Sequence, residues 1–191
     1  MTTITIFGNG TMGQAIGGIL ARGGASIQYI GSADKTARLE GDIVVLAVPY
    51  AALAQIAADY ADQLAGKTVV DITNPLDFAT FDALVVPSDS SAAAELQALL
   101  PEARVLKAFN TTFAATLVSG AVGAQRTTVL IAGDDTDAKQ ALAAAIQAGG
   151  VDALDAGALT RARELEAIGF LQLTLAVSEK VGWNAGFAVA R

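Results

Sequence analysis

The segment from Thr3 to Gly13, TITIFGNGTMG, constrains this chain more than any other feature. Thr3 to Phe7 reads as a strand and Met12 to Arg22 as a helix, with the glycine motif Gly8, Asn9, Gly10, Thr11, Met12, Gly13 at the junction. A strand that turns through GxGxxG into a helix is the opening unit of a dinucleotide-binding fold. The first two glycines allow a tight turn and close backbone approach to a pyrophosphate. The third lets helix and strand pack, and the helix N-terminus offers unpaired N–H groups to an anion. Glycine is abundant here, with 19 residues, so the motif draws its weight from what flanks it.

The rest of the chain continues the alternation. Strands are expected at Ser26–Ile30, Asp42–Val48, Lys67–Ile72, Arg104–Ala108, Thr127–Ala132 and Val151–Asp155. Helices are expected over Tyr50–Leu64, Ala92–Leu100 and Thr136–Ala148, the last capped by Asp134 and Asp135, and over Arg161–Val181. DIVVLAV from Asp42 is apolar on both faces, as a central parallel strand should be. Thr73 to Ser91, rich in Asp, Pro and Ser, reads as an irregular loop over a sheet edge. Only Gly31 to Gly41 separate the second and third strands, too few for a full helical crossover. The fold class is therefore α/β: a Rossmann-type, doubly wound, mainly parallel sheet with a reduced second crossover helix. Residues 1–191 are read as one NAD(P)-binding domain. The last helix, about 160–181, carries Leu165, Ile168, Phe170, Leu171, Leu173 and Leu175 around nearly its whole surface. Two readings stay open for it, core packing and a homodimer interface.

Composition narrows the chemistry. The 191 residues include no histidine and no cysteine. This removes histidine acid–base catalysis, Ser–His–Asp and Cys–His nucleophiles, imidazole or thiolate metal sites, and disulfides. The formal net charge of −7 and a pI near 4.4 argue against nucleic-acid or anionic-membrane partners. Mean hydropathy is high at +0.48. The uncharged run from Met1 to Ala21 is nonetheless interrupted by glycines and polar residues and lacks a basic start, so it reads neither as a signal peptide nor as a membrane span. A soluble, cytoplasmic protein is expected.

Cofactor choice is read at the end of the second strand, where an NAD enzyme places an acidic residue. Here Gly31, Ser32, Ala33, Asp34 and Lys35 follow Ile30. A hydroxyl with a nearby cation suits the 2′-phosphate of NADP, while Asp34 leaves NAD open. Val48 and Pro49 end the third strand, Asn74 and Pro75 follow the fourth, and Asn110 and Thr111 follow the fifth. Together these strand ends describe one crevice.

No side chain is singled out as catalytic. Lys107 is either a carbonyl-polarising cation or a strand-end surface lysine, with the surface reading favoured. Arg163 and Glu166 read as an i, i+3 ion pair. Asp71 is open between backbone capping and cofactor contact, and Tyr50 between a role in catalysis and packing on adenosine.

These residues resemble the deazaflavin-dependent (coenzyme F420-type) NADP reductase family, which includes the NADP-binding domain of membrane ferric reductases. The likeness runs through GNGTMG, through Gly31, Ser32 and Lys35, and through DIVVLAVP and VVDITNPL. It continues in VLKAFNT from Val105, AGDD from Ala132 and LDAGALTRARELEA from Leu154. The start of the chain also resembles pyrroline-5-carboxylate reductase. The main resemblance implies that Asn9 to Met12 line the pyrophosphate and that Ser32 and Lys35 meet the 2′-phosphate. It further implies that Val48 and Pro49 take the adenosine side and Ala108 the nicotinamide amide. Ala33 stands where members of the family commonly carry arginine. The implied activity is hydride transfer between NADP(H) and a flavin-like, deazaflavin-like or other small redox acceptor. A non-catalytic NADP(H) sensor and a small imine or ketone reductase are the alternatives.

Overall fold

The computed structural model describes residues 2–34 and 36–190. The chain runs β1 (Thr3–Phe7), α1 (Thr11–Arg22), β2 (Ser26–Ile30), β3 (Ile43–Leu46), α2 (Leu53–Leu64), β4 (Thr68–Asp71), α3 (Ala92–Leu99) and β5 (Arg104–Lys107). It continues with α4 (Ala114–Ser119), β6 (Ala121–Val122), β7 (Gln125–Arg126), β8 (Thr128–Gly133), α5 (Thr136–Ala148), β9 (Asp152–Gly157) and α6 (Ala162–Val177). Seven strands form one sheet in the order β2-β1-β3-β4-β5-β8-β9, parallel except where β5 meets β8. The strand order reverses between β1 and β3, so the carboxyl ends of those strands open the crevice expected of a doubly wound sheet.

The sheet is covered on both faces, which is why its central strands are apolar throughout. Ile4, Ile6, Val45, Val70 and Leu106 pack with Ile16, Leu20, Leu142 and Ile146 on the side of α1 and α5. Val44, Leu46, Val69 and Val105 pack with Leu53, Leu64, Leu96 and Ala162 on the side of α2, α3 and α6.

The short β2–β3 connection contains no helix among its described residues. It lies directly on β1: a Cβ on Gly41 would stand 2.6 Å from the Thr5 nitrogen, and the Gly41 N–H donates to Thr5 Oγ1 at 3.0 Å. Helix α2 ties the connection down. The Tyr60 hydroxyl donates to the Asp34 carbonyl (2.7 Å), Gln63 accepts from the Leu39 N–H (2.9 Å), and the Tyr60 ring packs edge-on against Phe7. Side chains of the next helix thus replace the missing crossover.

Three expectations change in detail. The 73–91 segment is irregular, but it leaves β4, the middle strand of the sheet. It folds toward α6 instead of over an edge, with Leu84, Val86 and Pro87 lining a cavity beside Ala167 and Phe170. Helix α6 ends at Val177 because Glu179 takes a left-handed φ of 58° and the Lys180 N–H turns back to the Leu175 carbonyl (2.9 Å). Helix α4 and the β6–β7 hairpin were not expected. The helix has six residues and no side-chain cap, and its clearest signal is Gly120, left-handed at its end. No helix among the described residues is long and apolar enough to cross a membrane.

Candidate functional site

The glycine motif sits where the sheet order reverses. Gly8 has φ of 94°, and a Cβ there would lie 2.2 Å from the Ala47 carbonyl oxygen; a Cβ on Gly13 would lie 2.2 Å from the Gly8 oxygen. Strand, turn and helix are therefore packed backbone to backbone, which only glycine permits. Gly10 differs. It is the N-cap of α1 with no side-chain cap, and nothing lies within 4 Å of where its Cβ would be. The first helical hydrogen bond runs from the Gln14 N–H to the Gly10 carbonyl (2.9 Å), so the N–H groups of Thr11, Met12 and Gly13 precede the intrahelical ladder. Open space against free N–H groups at a helix N-terminus fits a pyrophosphate.

Two cavities flank this terminus. One, of roughly 490 Å³, is lined by Gly8, Asn9, Gly10, Gly31, Ser32 and Asp34, with Val48 and Pro49 of the β3 end and Ile56 and Tyr60 of α2. The other, of roughly 400 Å³, is lined by Thr11, Met12, Ile72, Asn74, Phe109, Asn110, Phe113, Leu173 and Trp183. The first suits an adenosine half and the second a nicotinamide half with room beside it for an acceptor. The Asp34 carboxylate accepts from the Gly31 N–H (2.9 Å) and so closes its own turn.

The second cavity has an ordered polar floor. Asn74 Nδ2 donates to the Asn110 carbonyl (2.9 Å), while Asn110 Nδ2 donates to Asn74 Oδ1 (2.9 Å) and to the Leu165 carbonyl (2.8 Å). Two acceptors on Nδ2 settle the amide orientation. They leave Asn110 Oδ1 buried without a partner, as is Thr73 Oγ1. Unpaired buried acceptors are uncommon, and a carboxamide NH₂ is a fitting donor. Between the β5 end and Asn110, the wholly buried Phe109 holds a φ of 63°. For a bulky residue this strain is of order 1–3 kcal/mol, and it is typical of functional sites.

The sequence-derived residues divide accordingly. Gly8, Asn9, Gly10, Ser32, Val48 and Pro49 meet at the first cavity, and Thr11, Met12, Asn74 and Asn110 at the second. Gly13 is buried beneath the turn. Pro75 is buried, where its carbonyl accepts from the Val85 N–H (2.7 Å). Ala108 is wholly buried in the core, its N–H held by the Asp71 carbonyl (3.1 Å). Lys35 lies outside the described residues.

The candidate catalytic groups require correction. Lys107 is not a surface lysine: it is fully buried, 2.7 Å from both Asp71 Oδ2 and Glu166 Oε1. Glu166 accordingly does not pair with Arg163; the i, i+3 pair on this stretch is Arg161–Glu164 (3.2 Å). The side chain at position 107 follows the alternation of β5 into the interior, where only paired charges survive. Glu166 also accepts from the Ala92 N–H (3.1 Å), and burial pushes its carboxyl above the ordinary range despite the lysine. Asp71 caps the turn after β4, accepting from the Thr73 N–H (2.8 Å). The Tyr50 hydroxyl donates to Glu95 (2.5 Å), and burial together with that carboxylate pushes its pKa up to about 12. Lys107 and Tyr50 are thus both engaged by carboxylates. Ile56, Tyr60, Phe113 and Trp183 are further lining residues: helical periodicity marks Ile56 and Tyr60 only as core, and Phe113 and Trp183 fall where no element is expected.

A family model described as NADP oxidoreductase, coenzyme F420-dependent, matches residues 25–75. The F420-dependent NADP reductase of Methanocaldococcus jannaschii is 34% identical over 168 residues, spanning 85% of this chain and 74% of that relative. The metalloreductase STEAP3 of Rattus norvegicus is 41% identical over 108 residues, covering 56% of this chain and 21% of that protein. A solved structure of a candidate F420-dependent NADP reductase from Arthrobacter sp. FB24 matches with a TM-score of 0.83 at 29% identity, covering 98% of this chain and 99% of that one. With 34% identity over 85% of its length to one such reductase and a fold likeness over 98% of it to another, the chain belongs to the coenzyme F420-dependent NADP oxidoreductase family.

Proposed function

We propose that this protein binds NADP(H) across the two cavities and passes hydride between the nicotinamide and a flat-ringed flavin or deazaflavin acceptor. The observation that carries this reading is the pair of cavities on either side of an uncapped, glycine-lined helix N-terminus, one half for each half of a dinucleotide. When bound, the cofactor supplies the transferable hydride. The chain's part is to bind, orient and exclude water. Gly10 to Gly13 present N–H groups to the pyrophosphate, Ser32 meets the 2′-phosphate, and Val48, Pro49 and Ile56 enclose the adenosine. Asn74 and Asn110 hold the nicotinamide carboxamide. Phe113 and Trp183, whose rings lie 5.0 Å apart, wall the space beside it against a planar acceptor. Such a site needs no histidine or cysteine, because hydride transfer between two rings depends on alignment. The same reading treats the chain as one cytoplasmic domain, with the exposed Leu171 and Val177 of α6 offered to a second copy.

The two proton donors that the imine or ketone reductase alternative calls on, Lys107 and Tyr50, are both committed to carboxylates. The test is to titrate NADPH and NADH in parallel and to follow NADPH absorbance with deazaflavin, flavin, ferric chelate and cyclic imine. NADPH should bind at least about tenfold more tightly than NADH, a difference of ~1.4 kcal/mol, and be oxidised by a flavin or deazaflavin. Tight binding with no turnover on any acceptor would favour a sensor, and binding of neither nucleotide would defeat the whole reading.

A further inference from the structure

Three ionisable side chains that line neither half of the crevice meet directly behind it. Lys107 Nζ stands 2.7 Å from Asp71 Oδ2 and 2.7 Å from Glu166 Oε1, with the three side chains at most 1% exposed. Backbone N–H groups complete the set, Thr73 to Asp71 (2.8 Å), and Ala92 (3.1 Å) and Ala93 (3.4 Å) to Glu166. Apolar residues of the same shape would generally serve stability as well or better, so stability alone does not explain three buried charges.

Their placement offers a reason. Asp71 ends β4, three residues before Asn74, and Lys107 ends β5, three residues before Asn110. Glu166 follows Leu165, whose carbonyl takes a hydrogen bond from Asn110 (2.8 Å). One turn further along α6, Gly169 presses so closely on Asn74 that a Cβ would stand 2.2 Å from its Oδ1. Strained Phe109 lies between the lysine and Asn110. Two strand ends and one helix are thus pinned in a single register, and the asparagine pair is the product of that register.

We propose that Asp71, Lys107 and Glu166 are positioning residues, a buried clamp that sets the Asn74–Asn110 pair for the nicotinamide half of the cofactor. This rests on the dinucleotide reading given above. None of the three lines the adenosine cavity, so loss of the clamp should separate the two halves of the ligand. The test is calorimetric titration of the whole chain with adenosine 2′,5′-bisphosphate, which lacks the nicotinamide, and with NADP⁺. The variants are Glu166→Ala and Glu166→Gln. Both leave Lys107 paired with Asp71, and Gln keeps the volume, so it carries the test should Ala fail to fold.

The bisphosphate affinity should stay within about twofold of wild type in both variants, while NADP⁺ loses about tenfold in Ala and less in Gln, a size usual for supporting residues. Turnover should fall by up to ~10²-fold, as misplacement by about an ångström produces, with KM for the acceptor little changed. Equal weakening of both ligands, or of neither, would overturn the clamp and leave the dinucleotide reading standing. A wild-type chain that bound neither ligand would overturn both.

Discussion

At the scale of single residues, two glycines of one motif do different work. Gly13 has no room for a side chain, because a Cβ would press on the Gly8 carbonyl at 2.2 Å; Gly10 has nothing around it. Gly10→Val should therefore fold, with its N-cap weakened by ~1 kcal/mol and Tm lowered by only a few degrees. It should lose NADPH affinity by about 10²-fold (~2.7 kcal/mol), because the β-branched side chain fills the anion's space. Retained affinity in a fluorescence titration would remove the motif from the site. The motif's chemistry was readable from the sequence, since glycine's properties are local. The fate of Lys107 was not. RVLK carries no apolar–polar alternation to place it inside, its partners lie 36 and 59 residues away in Asp71 and Glu166, and only folding sets them 2.7 Å from its ammonium.

Among elements, strands and long helices followed from periodicity and caps. Asp135, for example, accepts from the Ala138 N–H at 2.8 Å to begin α5. Short pieces escaped, because a six-residue helix without a cap has too few residues to show a period. The same scale holds a pH-dependent contact. Lys139 of α5 reaches Asp155 of β9 at 2.8 Å and holds its carboxyl below the ordinary range, chiefly through that hydrogen bond. A depressed folded-state pKa contributes stability above the unfolded value and loses it as pH falls through the folded one. Asp155 is 55% exposed, so solvent screens the pair to below ~1 kcal/mol. Asp155→Asn should thus lower Tm near neutral pH by no more than about 2–4 °C, and the difference from wild type should fade as pH falls below the ordinary carboxylate range, through the depressed pKa of Asp155. A Tm gap that persisted in acid would mean the contact is not electrostatic.

Across the whole molecule, the crevice is assembled from segments far apart in the chain. The single tryptophan, Trp183, comes from beyond α6 to lie against Phe113 after β5, and it remains 54% exposed at the second cavity. Its emission should change when a flavin or deazaflavin joins the NADP⁺-loaded protein. Trp183→Ala should raise the acceptor KM several-fold, in line with an aromatic contact of about 0.5–1.5 kcal/mol, while NADPH affinity holds. An unchanged KM would place the acceptor elsewhere. What the sequence determined by itself was the alternation of strands and helices, the shortened second crossover, and the glycine turn at the head of α1, because each rests on neighbours within a few residues. Tertiary structure alone decided which charges are buried together, how the asparagines pair, and which aromatic walls the second cavity. Those depend on the order of strands across the sheet and on the packing of α6, and neither leaves a local signature in the chain.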